Sequence, residues 1–155
     1  MDVSAVALRV EHMLSPLAQA AGVTLHLRLS NAAHILATED DLYQILFNLV
    51  ENGIKYNLPG GRVEVETACP GNRVVITVTD TGVGVPAQDM DKIFDRFYRV
   101  DKARSRAAGG TGLGLSIVRD TALRHNGTVE VRRPGQGEGT CFVVDFPRLT
   151  EEGEV

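Results

Sequence analysis

The chain has 155 residues, the usual size of one domain, and 43% of them are hydrophobic and 23% charged, as in ordinary globular proteins. Its net charge of −4 argues against a general nucleic-acid-binding protein, and its two cysteines form no CxxC pair that would indicate a zinc site or a disulfide framework. Because no apolar run is long enough to span a membrane and no signal peptide opens the chain, we expect a soluble, cytoplasmic protein without membrane contact of its own.

The first half of the chain predicts two helices and one or two strands. Residues 3–20 carry apolar side chains at helical spacing, and Gly22 follows as a stop signal. Residues 23–29 alternate as a strand does, and residues 34–37 predict a second short strand. Thr38, with three acidic residues after it, is typical of a helix N-cap, and "LPGG" is expected to end that helix near residue 57.

The second half predicts four strands and another helix. A hairpin is expected from residues 62–68 and 73–80, and a final strand pair from residues 128–133 and 140–146, with a helix over residues 113–125 before that pair.

These elements favour an α+β fold. We expect a two-layer α/β sandwich whose mixed, mostly antiparallel sheet has about five strands and is covered on one face by about three helices. Residues 1–149 are predicted to form a single domain, and residues 150–155 an acidic, disordered tail.

The long predicted helix carries an unusual polar stripe. Asn48 and Asn52 are four residues apart and Lys55 follows one turn later, so the three share one side of the helix. Asparagine is a poor helix former, and the stripe is either a solvated face or the wall of a pocket. In a pocket, an amide oxygen could ligate Mg²⁺ that shares its shell with phosphate oxygens, and the lysine would attract the same phosphates.

Three further motifs follow in order. "DTGVGVP", with Asp80, Gly82 and Gly84, is either a plain turn or a carboxylate aimed at a base amino group beside a bare backbone. The basic run over residues 96–106 is either a solvated segment or a lid that brings cations to phosphates. "GGTGLGLSIV" matches neither common phosphate-loop pattern, yet it leads into a helix whose N-terminal N–H groups attract anions.

Together these motifs carry a resemblance. "NLVENGIKY", "DTGVGV", "IFDRFYRVD", "GGTGLGLSIV" and "GEGTCFVVDFP" closely resemble the successive boxes of the catalytic ATP-binding domain of bacterial sensor histidine kinases. That domain shares the Bergerat fold of the GHKL group with gyrase, Hsp90-type chaperones and MutL, and the resemblance covers nearly the whole chain. It implies an enzyme that binds Mg·ATP between the helices and the sheet, under a lid.

The resemblance also implies roles for single residues at the phosphates. Asn52 would ligate Mg²⁺, and Asn48 would support the metal or the phosphates. Lys55 would contact phosphate, and Arg99 would reach it from the lid. Asn48, Lys55 and Arg99 are therefore the residues expected to be catalytic.

At the adenine, the resemblance implies that Tyr56 packs beside the ring. Asp80 would accept from the adenine amino group, and Thr140 would help to hold the base. The other nucleotide contacts that the resemblance implies are Gly82 and Gly84 at the base wall, and Lys102, Gly110, Thr111, Gly112, Leu113 and Gly114 around the triphosphate.

Two departures from the family pattern matter. The family usually has Ala where Gly53 stands, and a glycine inside a helix costs about 1 kcal/mol relative to alanine, so we expect a looser helix that keeps its ligands. None of the four histidines has the context of a phosphoacceptor, so the dimerisation domain is predicted to be absent and the chain alone is not expected to phosphorylate itself.

The expected partners are therefore a dimeric helical phosphoacceptor domain of the same parent protein and a response regulator downstream. The resemblance predicts that the parent is a membrane-anchored sensor, with this domain on the cytoplasmic side. Three alternatives stay open: an ATPase of the same fold, a serine kinase of the anti-sigma type, and a non-catalytic ATP-binding module. Hydrolytic relatives carry a glutamate base one turn before the metal-ligating asparagine, where this chain has Asn48.

Overall fold

A computed structural model of the chain describes residues 1–85, 89–90, 92–95, 114–133 and 139–149. The helices are α1 (Val3–Ala21), α2 (Glu39–Lys55) and α3 (Gly114–Arg124), and the strands are β1 (Thr24–Arg28), β2 (Arg62–Ala68), β3 (Arg73–Asp80), β4 (Thr128–Arg132) and β5 (Thr140–Pro147).

Capping residues set the ends of the first two helices. The side chain of Asp2 accepts from the backbone N–H of Ser4 at the start of α1, and Gly22 ends that helix in the left-handed conformation, at φ 72°. The hydroxyl of Thr38 accepts from the backbone N–H of Asp41 at 3.2 Å, as expected of the N-cap of α2. Both predicted helix starts are therefore confirmed to within a residue.

The strands form one mixed sheet in the order β1-β2-β3-β5-β4. The pair β1 and β2 is parallel, and the other neighbouring pairs are antiparallel. Inward and outward side chains alternate along β2 and β3, so one face of the sheet is buried under the helices and the other faces water. The predicted two-layer α+β sandwich of five strands and three helices is confirmed for the described residues.

One core lies between the sheet and the helices. Its fully buried members include Leu46 and Leu49 of α2, Ile76 of β3, and Phe142 and Phe146 of β5. No helix in the described part of the chain is both long and apolar enough to cross a membrane.

The strand predicted over residues 34–37 is wrong. His34 forms only an isolated bridge with Asp2, and Leu36 is 69% exposed. The partner segment turns into α1 at Val3, so the ladder cannot extend beyond that bridge.

Candidate nucleotide-binding site

One flank of α2 carries the predicted polar stripe. Asn48, Asn52 and Lys55 lie along this flank, and all three are half-buried. A side chain added at Gly114, the first residue of α3, would meet Asn48 Oδ1 at 3.8 Å. Asn48 of the stripe therefore faces the N-terminus of α3, so the structure brings together parts of two elements that the sequence singled out.

Lys55 has an ionic partner on its own helix. Its Nζ lies 3.6 Å from Glu51 Oε1, and the two side chains are 28% and 29% exposed. A helical pair of this kind contributes about 0.3–0.5 kcal/mol, whereas a hydrogen bond to a charged group contributes about 1.5–3 kcal/mol. The pair with Glu51 is thus weak enough for a phosphate to replace, and the phosphate contact of Lys55 stays a prediction.

Asp80 is a buried carboxylate at the end of β3. Only 7% of the residue is exposed, and burial raises its pKa to about 6 against the opposing effect of backbone hydrogen bonds from Gly82 and Thr140. The Gly82 N–H donates to Asp80 Oδ1 at 2.9 Å. No cationic group in the described part of the chain contributes to the pKa of Asp80. A carboxylate has about four acceptor positions, so capacity remains for a donor from a ligand.

Near Asp80, three positions are occupied by glycines at which a side chain would collide with neighbouring backbone atoms. A Cβ at Gly82 would lie 2.5 Å from the Tyr56 carbonyl oxygen, and a Cβ at Gly139 would lie 2.1 Å from the Asp80 carbonyl oxygen. Gly84 adopts φ +76° and its Cβ would lie 3.0 Å from the Gly139 carbonyl oxygen. Sequence reasoning predicted Gly82 and Gly84 as parts of the base wall but missed Gly139. The one sign of Gly139 in the sequence is its position directly before Thr140.

Thr140 lies next to Asp80, and Tyr56 lies next to the turn that follows it. Thr140 is the cross-strand partner of Asp80 in the β3–β5 ladder and is buried. Tyr56 caps the C-terminus of α2, and its carbonyl oxygen accepts from the Val83 N–H at 3.2 Å. Both positions therefore adjoin Asp80 or its turn, and the adenine contacts assigned to their side chains stay predictions.

Several predicted residues lie outside the described part of the chain: Arg99, Lys102, Gly110, Thr111, Gly112 and Leu113. Of the motif "IFDRFYRVD" that precedes most of them, the structure describes residues 93–95. Ile93 and Phe94 are buried there, and the Phe94 ring meets Phe142 edge-on at 6.1 Å. Phe94 therefore holds the residues just before the basic run against the core.

A hydrogen bond between a histidine and an aspartate joins α2 to the end of α3. His125 Nε2 lies 2.7 Å from Asp41 Oδ2, and the Arg124 guanidinium lies 3.9 Å from the other oxygen. The hydrogen bond to His125 lowers the pKa of the Asp41 carboxyl. The partner of His125 is 84 residues away in the chain, which no local pattern reveals.

Gly53 packs against two neighbours at the back of the site. The helix runs unbroken through it, and an added Cβ would lie 3.1 Å from Val63 Cγ2 and 3.4 Å from Asp80 Cβ. The glycine therefore gives Val63 its space, which the sequence could not indicate.

We expect Gly53→Ala to lower the free energy of unfolding in the natural background and to raise it in a Val63→Ala background. Overpacking typically costs about 1–3 kcal/mol, which exceeds the gain of about 1 kcal/mol in helix propensity, but Val63→Ala removes the contact and leaves the gain. Urea unfolding of the four proteins measures both effects. The same sign in both backgrounds would show that Val63 is not the constraint.

The donor set suits an adenine nucleotide with a shared Mg²⁺. A buried carboxylate with no cationic partner among the described residues suits a base amino group, and the bare backbone beside it suits a flat ring. The described residues contain no cluster of three or more His, Cys, Asp or Glu side chains that could hold a metal unaided. A magnesium ion that takes most of its ligands from phosphate and water needs no such cluster.

Comparisons with known proteins agree with this geometry. The family model described as histidine kinase-, DNA gyrase B- and HSP90-like ATPase matches residues 37–150. Sensor histidine kinase RppB of Synechocystis sp. is 39% identical over 84% of this chain and 29% of its own length. Sensor-like histidine kinase SenX3 of Mycolicibacterium smegmatis is 42% identical over 76% of this chain and 30% of its own length. The chain thus spans less than a third of these curated relatives.

Solved structures show the same fold. The mycobacterial sensor histidine kinase MprB is similar with a TM-score of 0.84 and 25% identity, over 96% of this chain and 95% of that chain. Full-length ShkA in complex with AMPPNP is similar with a TM-score of 0.81 and 31% identity, over 96% of this chain and 30% of that chain. The chain belongs to the family of histidine kinase-, DNA gyrase B- and HSP90-like ATPases, as an ATP-binding domain of the sensor histidine kinase type.

Proposed function

We propose that this chain binds Mg·ATP and delivers the γ-phosphoryl group to a histidine on a separate dimeric helical domain of its parent protein. The observation that carries the proposal is the buried Asp80 carboxylate, which accepts from the Gly82 N–H, is surrounded by glycines and packs against Gly53 of α2. The AMPPNP complex of the related ShkA supports a nucleotide as the ligand.

In this proposal, Asp80 accepts from the adenine amino group and fixes the base. Asn52 would ligate the metal through its amide oxygen, Asn48 would support the metal or the phosphates, and Lys55 supplies a positive charge on the same flank of α2. When bound, Mg²⁺ would supply positive charge beside the transferring phosphoryl group. The domain's own contribution is therefore positioning and charge stabilisation, and the nitrogen that attacks the phosphorus belongs to the partner domain.

The arrangement favours transfer to histidine over hydrolysis. Hydrolysis needs a base that takes a proton from water, and Asn48, which occupies the position of that base, is an amide and cannot do so. Glu51 is the nearest carboxylate on α2, but it lies about 100° around the helix from Asn52, and it is paired with Lys55. A response regulator is the proposed recipient of the phosphoryl group from the histidine.

We expect the chain to phosphorylate a dimeric helical hairpin bearing a histidine, and not itself. Labelled ATP, the chain and the hairpin are mixed, and the label is expected on the hairpin as acid-labile phosphate. A hairpin with that histidine replaced by alanine is the matched control and should stay unlabelled. Label retained on the chain alone would contradict the division of labour between the two domains.

A further inference from the structure

Three chain segments meet next to Asp80: the residues after α2, the start of β2 and the residues after β3. The Asn57 side-chain amide donates to the Arg62 carbonyl oxygen at 3.0 Å. The Arg62 N–H in turn donates to the Thr81 hydroxyl at 2.9 Å, and the Thr81 N–H donates back to the Arg62 carbonyl oxygen at 3.2 Å. We call this set of contacts the Asn57–Thr81 junction.

The polar atoms of both side chains are engaged within the protein. Asn57 Oδ1 accepts from the Leu58 N–H at 2.8 Å and lies 3.3 Å from the Thr81 hydroxyl, which is placed to donate to it. The amide group and the hydroxyl therefore have partners without any ligand, and their role is to connect backbone segments.

A glycine closes the junction. A Cβ at Gly61 would lie 2.1 Å from Asn57 Oδ1 and 2.8 Å from Thr81 Oγ1, so no side chain fits there while the two polar groups keep their places. The close approach of the three segments thus depends on the glycine and on the two side chains together.

The junction is tied directly to the base wall. Thr81 follows Asp80, and the next residue, Gly82, donates to the Asp80 carboxylate at 2.9 Å. The Val83 N–H donates to the Tyr56 carbonyl oxygen at 3.2 Å, and a Cβ at Gly82 would lie 2.5 Å from that oxygen. A change at Thr81 or Asn57 is therefore transmitted through one residue to the carboxylate and to the backbone beside it.

We propose that Asn57 and Thr81 are positioning residues for base recognition. They hold the Asp80 carboxylate in place relative to the backbone of Tyr56 and Gly82, and they do not touch the nucleotide. This role rests on the proposed function, since the ligand concerned is the nucleotide assigned to the site. It makes base affinity and base preference depend on two side chains whose polar groups bond only to other parts of the protein in this structure.

The test is Thr81→Val, which keeps the shape and removes the hydroxyl, with binding of ATP, ADP and GTP measured by calorimetry. We expect the Kd values for ATP and ADP to rise together by about tenfold and the preference for ATP over GTP to fall. Thr81→Ser should restore both. Thr77→Val, the same change on the outer face of β3, is the matched control and should alter neither.

Asn57→Ala is the second variant and should reproduce the loss of base preference, with folding of each variant checked by urea unfolding. If Thr81→Val and Asn57→Ala bind ATP as tightly and as selectively as the natural chain while Asp80→Asn does not, the positioning role is overturned and the nucleotide site stands. If the natural chain binds none of the three nucleotides, the proposed function fails, and the positioning role with it.

Discussion

Replacing Asp80 with Asn is expected to lower the affinity for ATP and ADP by a similar factor, about 10- to 150-fold. A hydrogen bond to a charged group contributes about 1.5–3 kcal/mol, and each 1.4 kcal/mol is tenfold in Kd. Both nucleotides share the adenine that Asp80 is proposed to hold, so both should lose the same contact. Calorimetry with each nucleotide measures the loss, and a loss confined to ATP would move Asp80 away from the base.

The same substitution is expected to stabilise the unliganded domain at neutral pH. The pKa of Asp80 is about 6 in the fold against 3.8 for a free side chain, so the fold prefers the protonated carboxyl. This preference stabilises the fold fully below pH 3.8 and is lost as the pH rises through about 6, where a buried charge must be tolerated. The replacing amide stays neutral throughout, so the variant should gain about 3 kcal/mol above pH 7.

Urea unfolding of both proteins between pH 4 and pH 8 separates this effect from all others. The stability difference should be largest above pH 7 and shrink towards zero at the acid end. Asp145→Asn is the matched control, because Asp145 lies on β5 at the opposite end of the ladder and pairs with Arg73. A difference that does not vary with pH would show that Asp80 does not titrate as its burial implies.

Local patterns predicted the fold well, because each element carries its own signal. The period-2 alternation of β2 and β3 set both the bounds of the hairpin and the buried face. Thr38 and Gly22 marked helix ends because their side-chain or backbone chemistry satisfies groups that a helix end leaves free. The strand over residues 34–37 failed because alternation does not reveal whether a partner strand exists.

The features that the sequence did not reveal are contacts between distant segments. Asp41 meets His125 across 84 residues, and Thr81 meets Arg62 across 19. Position 139 needs a glycine because a Cβ there would collide with the Asp80 backbone. Such requirements arise from packing in three dimensions. They produce no periodic pattern in the sequence. The asparagine stripe does produce one, because its members lie on one helix.

The second large effect is expected for Asn52→Ala, which should remove Mg²⁺-dependent binding of ATP while leaving the fold intact. The amide of Asn52 is the proposed protein ligand of the metal, and alanine offers no oxygen. Alanine is also the better helix former, by up to about 0.7 kcal/mol, so α2 should not be weakened. Calorimetry measures the Kd for ATP once with Mg²⁺ and once with a chelator. The two Kd values should differ for the natural chain and agree for the variant.

Gln44→Ala is the matched control for Asn52→Ala, since it removes an exposed side-chain amide from the same helix, two turns earlier. Its binding of Mg·ATP should equal that of the natural chain. Unchanged affinity of Asn52→Ala for Mg·ATP would place the metal on other ligands. The adenine contacts of Asp80 would be untouched by that outcome, because the chelator experiment measures base binding without the metal.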